Sequence, residues 1–271
     1  MPEPRLPPEL IHCVVDHLFE DIPALASIRF ANQTFNLACR RYIFGTVTLT
    51  TKSRIEKLDE LVASCPSIVP FIKDFAIELP DPDPELNITI SRLLRQLTHV
   101  TAFEIGSQLL SQWKSWPSTI RSAIKIPLSS PYLDSLSMFH IHGIPTSLLG
   151  TCPTLQDLYL VDITFENDCP SVLESRPRLQ YLMLGSSDPG PLPSGIPVDL
   201  TRLQHLSISY PYPSPGLDGT WIWEEFIEPA SKSLKTLDLT QLGMYMVRTS
   251  QVQILSHTTC RRARHHKSNR L

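Results

Sequence analysis

The sequence predicts an α/β protein in which short strand–helix units stack into an irregular, curved solenoid with a parallel strand layer. A phrase of the form L-x-x-L-x-L recurs along the chain, in copies whose starts are separated by roughly 20–30 residues. Amphipathic helical patterns lie between the copies. A proline precedes several copies of the phrase, as in CPTLQDLYL (152–160) and RPRLQYLML (176–184). One such unit cannot bury its apolar face alone, so its repetition indicates stacking.

The first 45 residues are predicted to form three short helices. LPPELIHCVVDHLFED (6–21) has prolines where a helix starts, a position at which the missing N–H costs nothing. Apolar residues then recur in adjacent pairs, which gives this helix a broad apolar stripe. Two shorter patterns follow, at 21–31 and 32–44. Three such helices cannot enclose a deep core, so part of their apolar surface is expected to pack on the first repeat or on a partner.

Eight copies of the repeated phrase predict eight strands. In L-x-L the two leucines point to one face of a strand and the residue between them points to the other. A doubly wound α/β domain also alternates strands with helices, but a fixed phrase at a nearly fixed short period favours the solenoid. The copies are FGTVTL (44–49), IKDFAI (72–77), VTAFEI (100–105), LDSLSM (133–138), LQDLYL (155–160), LQYLML (179–184), LQHLSI (203–208) and LKTLDL (234–239).

Each unit is expected to pair its strand with one helix. The chain has 25 prolines and 10 glycines, a bias that suits short elements ended by rigid breaks and disfavours a Gly-rich phosphate-binding fold. Two stretches show the apolar face that such a helix requires. They are IEKLDELVAS (55–64), through Ile55, Leu58, Leu61 and Val62, and ISRLLRQL (90–97), through Ile90, Leu93, Leu94 and Leu97.

The C-terminal end carries neither a repeat nor an amphipathic stripe after about Met244. Residues 248–271 contain six basic residues and no acid. We therefore predict a disordered basic tail, with a nuclear import signal in RRARHHK (261–267) as the alternative. The predicted organisation is a helical segment at 1–45, repeats at 46–243 and the tail at 244–271.

The helical segment resembles an F-box of the type that opens many fungal F-box proteins. The likeness rests on the L-P start at Leu6 and Pro7 and on the apolar positions of the first two helical patterns. It also rests on Phe44 and Val47, in the F-x-x-V-x-L that leads into the first strand. The following region, roughly residues 44–242, resembles leucine-rich repeat proteins.

Some positions depart from these families. Phe35 stands where the F-box usually has tryptophan, and Arg29 stands in a stretch that is usually small or apolar. These two departures motivate an alternative, a non-ubiquitin interaction scaffold with a degenerate F-box. The asparagine that ends the strand motif of regular leucine-rich repeats is also mostly missing, as at Ile163, Ser187 and Tyr212.

The resemblance implies a substrate-recognition adaptor of a cullin-based ubiquitin ligase. In that family the F-box holds a Skp-family linker, which joins it to a cullin, and the repeats hold a protein substrate. An adaptor of this kind is expected to be monomeric within its complex. Packing against the first repeat alone is the simpler interpretation of the same helix residues. The residues that the resemblance assigns to the linker contact or its immediate support are Leu6, Pro7, Leu10, Ile11, Val14, Leu18, Leu25 and Ile28.

A substrate surface is predicted on the outward side of the strands. The residues between the leucines face the open side of the sheet, and most of them are small or polar. Because adjacent strands lie about 4.8 Å apart, an apolar run in three neighbouring units would form one patch. A loop with Trp221 and Trp223 that folds over this patch is the alternative. The predicted substrate-binding residues are Phe139, Tyr159, Val161, Tyr181 and Met183.

We expect no catalytic residues, cofactor or metal. The chain has no G-x-S-x-G, P-loop or H-E-x-x-H motif. His140 and His142 alternate as two ligands on a strand could, but no cysteine or acid nearby in the sequence completes a set. A metal protein or an enzyme that uses the histidines is the remaining rival, the second group of them being His257, Cys260, His265 and His266 in the tail.

Charge and targeting signals limit the partners and the compartment. The net charge of −3 favours neither nucleic acid nor an anionic membrane as a partner. The N-terminus lacks a signal-peptide pattern, and no apolar run is long enough to span a membrane. Six scattered cysteines without a C-x-x-C pair indicate reduced thiols. We therefore expect a cytoplasmic or nuclear protein.

Overall fold

A computed structural model describes residues 6–79, 83–166, 168, 176–186, 196–210 and 223–241. Within them the chain is an α/β protein with one eight-stranded sheet, in which every strand pairs in parallel with the next strand along the chain. The strands are β1 (Thr46–Leu49), β2 (Asp74–Leu79), β3 (Ala102–Gln112), β4 (Ser135–Pro145), β5 (Asp157–Glu166), β6 (Tyr181–Gly185), β7 (His205–Tyr210) and β8 (Thr236–Gln241).

The repeated leucines lie in line across the sheet. In one row Leu158 of β5 pairs with Leu182 of β6, and Leu182 pairs with Leu206 of β7. These side chains are at most 1 % exposed, and each burial stabilises the fold by about 1.5–3 kcal/mol. The period of two in the phrase therefore places the leucines of these copies in the core, as the sequence predicts, whereas Leu239 of the last copy is exposed.

Three α-helices cover the core side of the first strands: α4 (Lys52–Ser64), α5 (Pro84–Leu94) and α6 (Ser118–Leu128). The side chain of Thr51 caps α4 by accepting from the Arg54 N–H, and Asp83 caps α5 by accepting from Glu85 and Leu86. Ile55, Leu58 and Val62 of α4 are buried, as are Ile90, Leu93 and Leu94 of α5. Leu97 is also buried but lies beyond the end of α5, so the helix predicted through residue 97 is shorter at this end. The prediction for Leu61 is wrong, because this side chain lies at the margin of the α4 stripe and is 38 % exposed.

The expectation of one α-helix per unit fails after β4. Only residues 146–156 connect β4 to β5, and they form a 3₁₀ helix at Thr146–Thr151. A 3₁₀ helix rises about 2.0 Å per residue against about 1.5 Å for an α-helix. A short connection therefore spans the length of the long strand β4 more easily as a 3₁₀ helix than as an α-helix. Short helical turns also precede β8, at Trp223–Ile227 and Glu228–Ala230.

Three helices precede the sheet: α1 (Pro8–His17), α2 (Ile22–Ile28) and α3 (Gln33–Ile43). Asp21 and Asn32 cap α2 and α3 by accepting from the Ala24 and Phe35 N–H groups. The helices enclose a small apolar cluster of their own, separate from the main core. The buried members of this cluster are Ile11, Val15, Leu25, Phe35, Ala38 and Cys39.

No helix in the described ranges has the length and apolar character needed to cross a membrane.

Two leucines that differ in burial test how much a buried leucine contributes to the free energy of unfolding. Leu160 of β5 and Leu239 of β8 occupy the same row of the sheet, joined through Leu184 and Ile208. Leu160 is 0 % exposed and Leu239 is 47 % exposed. We expect Leu160→Ala to lower the unfolding free energy by about 2–5 kcal/mol and Leu239→Ala by about 1 kcal/mol or less. Denaturant unfolding measures both, and equal losses would contradict this account of the core.

Candidate protein-interaction surfaces

The outward face of the sheet alternates with the buried leucines. In β2, and in β6 from Tyr181 to Leu184, every second residue is half-buried while its neighbours are buried. The predicted patch lies on this face, on the three adjacent strands β4, β5 and β6. Phe139 pairs with Val161, and Tyr159 pairs with Met183. The sheet register thus brings the five predicted residues together.

Aromatic rings form a ladder across β5, β6 and β7. The ring centroids of Tyr159 and Tyr181 are 5.0 Å apart, with 30° between the ring planes. The next ring is that of His205, whose centroid lies 6.3 Å from that of Tyr181. Such spacings are typical of favourable ring contacts. His205 was not among the predicted patch residues, although its position between the leucines of LQHLSI was the available signal.

Two glycines border the apolar part of the patch. Gly106 pairs with Phe139, and Gly185 pairs with Val161. A Cβ at Gly106 would lie 3.2 Å from the Phe139 Cβ, and one at Gly185 would lie 3.2 Å from the Val161 Cγ2. The missing side chains therefore make room for Phe139 and Val161 to occupy this row of the face.

All five predicted residues are half-buried. The loop that the alternative interpretation places over them contains Trp221, which lies outside the described residues, as does the side chain of Trp223. The assignment of the five as a substrate-binding site accordingly stays a prediction.

Carboxylates lie on the same face as the aromatic ladder, toward its β5 end. Asp157 lies beside Tyr181 across the strand pair, and Glu104 is two strands from Tyr159 in the same row. Burial, with the nearby charge of Asp157 and the Tyr181 hydroxyl, raises the pKa of Tyr159. Desolvation and then the charge of Glu78 raise the pKa of Glu104. The outward face of the sheet therefore carries acids on β2, β3 and β5 in addition to the aromatic rings of β5, β6 and β7.

The His205 end of the ladder is uncharged at neutral pH. Burial, and then the positive charge of Lys235, lower the pKa of His205 below its ordinary value of 6.5. The ammonium group of Lys235 donates to the Gln204 Oε1 at 3.1 Å. The Tyr159 and His205 rings of the ladder are therefore uncharged at neutral pH.

An acid does lie close to His140, so the expectation drawn from the sequence is wrong on this point. His140 Nδ1 is 2.9 Å from the Oδ2 of Asp162, on the neighbouring strand. Both residues have a positive φ, 56° and 53°, and lie between the in-register pairs Phe139–Val161 and Ile141–Ile163. The Asp162 carboxylate also accepts from the Ser186 hydroxyl. The members of the pair belong to different repeats, so the signal available in the sequence was the alignment of the copies at 133–138 and 155–160, which sets residue 140 opposite residue 162.

His140 and Asp162 do not belong to a larger group of metal ligands within the described residues. Among the described residues, no three His, Cys, Asp or Glu side chains are grouped as a metal site would require. The tail histidines and Cys260 lie outside these residues.

The predicted linker residues fall on two rows of α1 and on its neighbours. The outer row and its N-terminal extension are exposed, while the inner row packs on α2 and α3. The adjacent apolar pairs in the sequence predict a broad stripe on α1, but they do not indicate which of its two rows is buried against α2 and α3. Leu6, Pro7, Leu10 and Val14 are exposed, Leu18 and Ile28 are half-buried, and Ile11 and Leu25 are buried.

Further large apolar side chains are exposed in the helical segment. They are Phe19, Ile22, Phe30 and Leu37, and the sequence interpretation did not include them in the linker surface. Because apolar patches on a protein surface often mark contact sites, the helical segment and the aromatic ladder are the two candidate interaction surfaces.

Comparison of the chain with protein-family models and with curated proteins finds no match.

The His140 pair leads to a prediction about metal content. We expect the His140→Ala, His142→Ala double variant to bind no less zinc than the wild type, because Asp162 and His140 alone are too few ligands for a stable site. Elemental analysis after dialysis measures this. Stoichiometric zinc in the wild type that is absent from the double variant would contradict it.

Proposed function

We propose that this protein is a non-catalytic adaptor that brings a protein substrate to a cullin-based ubiquitin ligase. In this proposal α1–α3 form an F-box that holds a Skp-family linker. The sheet and its helices form a leucine-rich-repeat solenoid that holds the substrate. The single observation that carries the proposal is the outer row of α1, which stays exposed although the helix is anchored by its inner row.

The inner row of α1 anchors the helix, and the outer row is exposed to a partner. Ile11 and Val15 are at most 3 % exposed and hold the helix to α2 and α3. Leu10 and Val14, each one residue earlier, are 50 % and 43 % exposed. Exposure of both on one helix face is unfavourable unless a partner covers it, and full burial of each would contribute about 1.5–3 kcal/mol to binding. The L-P start of this helix, at Leu6 and Pro7, supports an F-box on the same face.

The solenoid part of the proposal is supported by the order of the sheet. Eight strands follow one another in chain order, and each belongs to the repeat after that of its neighbour. A doubly wound domain reverses its strand order at a switch point. A stack of repeats adds every new strand at the same edge, so the observed order favours the solenoid.

The substrate part of the proposal is supported by the aromatic ladder. Tyrosines are common anchors at protein interfaces, because a rigid ring buries a large area while its hydroxyl remains able to hydrogen-bond. Tyr159 and Tyr181 lie in contact in the middle of the sheet face. We therefore propose that a substrate segment docks across β4–β6.

The alternative is an interaction scaffold whose helical segment binds no linker. Phe35, at the position where the F-box family has tryptophan, is buried in the small cluster. A structural role of this kind is compatible with either function. Capture of a Skp-family protein distinguishes the two.

The linker contact predicts the effect of charge on the outer row of α1. We expect Leu10→Asp together with Val14→Asp to abolish capture of a Skp-family protein while the chain stays folded, because both positions are exposed and would meet an apolar partner. Leu18 is unsuitable for this test, since it packs on the small cluster.

The matched control for this test is Ile88→Asp. Ile88 is an exposed apolar residue of α5, outside the helical segment. Pull-down of the linker at low salt, with circular dichroism of each variant, is the measurement. Retained capture by the α1 variant would contradict the linker surface, and failure of the wild type to capture any Skp-family protein would favour the scaffold.

The substrate surface predicts a separate loss. Tyr159→Ala with Tyr181→Ala should leave linker capture intact and remove the substrate from affinity captures made with the proteasome inhibited, at about 2 kcal/mol or more per anchor. Tyr132→Ala, an exposed tyrosine that stacks on His99 away from the ladder, is the control. If the double variant unfolds, or recovers the same protein as the wild type, the ladder is not the substrate site.

A further inference from the structure

A cavity of about 370 Å³ opens between the end of α2 and the outer side of α3. It is lined by the guanidinium-bearing residues Arg29 and Arg40, by three amide side chains, and by Phe30 and Leu37. Among the described residues that line it there is no acid. The cavity is therefore positively charged and has an apolar margin.

Arg29 is incompletely satisfied in this cavity. Its Nε is buried and has no hydrogen-bond partner among the described residues. Its guanidinium carbon lies 4.6 Å from the centroid of the Phe30 ring. A buried charged donor without an acceptor is destabilising, and such groups are rare in folded proteins. Because the Nε is covered by protein atoms, an acceptor that enters the cavity would compensate the charge of the guanidinium group rather than pair with the Nε itself.

Arg40 holds its place through uncharged groups. Its Nε donates to the Asn36 Oδ1 and its Nη1 donates to the Ser67 Oγ, each at 2.9 Å. The next residue on α3 differs, because Arg41 forms an ion pair with Asp16. Arg40 is thus positioned in the cavity wall by hydrogen bonds to neutral side chains of the described chain, and these bonds leave its charge uncompensated.

We propose that this cavity binds a carboxylate side chain of the protein that docks on the helical segment. The inference rests on the proposed function, in which that protein is the Skp-family linker. A guanidinium fork matches a carboxylate in geometry and charge. Phe30 is 74 % exposed and Leu37 is 48 % exposed, and an apolar margin around a charged centre is what a protein contact covers, whereas a free anion would leave it in water. Arg29, a departure from the F-box pattern, is then a specificity contact.

Substitution of Arg29 should affect the affinity for the linker and the stability of the free protein in different ways. Replacement of Arg29 by methionine keeps most of the apolar stem and removes the unsatisfied donor, so the free protein should melt no lower than the wild type. The same change removes the partner of the incoming carboxylate, so affinity for the linker should fall. A purely structural arginine would show the opposite, with stability lost first.

The experiment uses the full chain and a purified Skp-family protein, with titration calorimetry at low and high salt and a thermal melt of each variant. We expect Arg29→Met to bind about tenfold more weakly, which corresponds to about 1.4 kcal/mol, with a smaller salt dependence and an unchanged or higher Tm. Arg29→Lys should retain part of the affinity, because it keeps the charge and loses the fork. Arg54→Met removes an equal charge from the exposed N-terminal turn of α4 and should bind as the wild type does.

Several outcomes would overturn the inference. It fails if Arg29→Met binds as tightly as the wild type, or loses affinity only in step with a lower Tm. It also fails if inorganic phosphate at millimolar concentration raises the Tm of the wild type and not of Arg29→Met, which would identify phosphate as the occupant. If the wild type binds no Skp-family protein, the proposed function fails and the named occupant with it; if it binds and Arg29→Met binds equally, only the cavity assignment fails.

Discussion

Eight strands pair in parallel so that the leucines of one copy of the repeated phrase lie beside those of the next. This alignment buries Leu136, Leu158, Leu182 and Leu206 almost completely. It also fixes everything on the other side of the sheet, because a strand that turns its leucines inward must turn the intervening residues outward. The outward rows are therefore set by the core, and their chemistry is free to vary without loss of the fold.

The aromatic ladder follows from that freedom. Tyr159 and Tyr181 are diagonal neighbours only because β5 and β6 pair with Asp157 beside Tyr181. Shifting the register by one residue would turn the rings into the core and the leucines into solvent. A face built in this way is positioned rigidly by the hydrophobic core behind it, which lowers the conformational entropy that a partner must remove on binding.

Local pattern and long-range register differ in how well a sequence predicts them. The strands and the helical patterns at 55–64 and 90–97 could be predicted, since their periods of two and 3.6 are each written within a short stretch of sequence. The bounds of the second helix could not, because it runs from Pro84 to Leu94. The His140–Asp162 pair could not be predicted from either stretch alone, because it depends on two positive φ values and on the register between the strands of two different repeats. The 3₁₀ connection before β5 could not either, since the extent of β4 decides how far that connection must return.

The helical segment differs from the sheet in what holds it together. Six buried residues form its own cluster, while the core of the sheet runs unbroken from Leu49 to Ala230. Polar contacts add to that cluster: Tyr42 donates to Asp16 at 2.9 Å, and Arg40 reaches Ser67. Exposed pairs of this kind contribute little to stability. A ligand that binds only the folded form stabilises it, so a partner that covers Leu10 and Val14 would raise the stability of the helical segment by a larger fraction than that of the sheet.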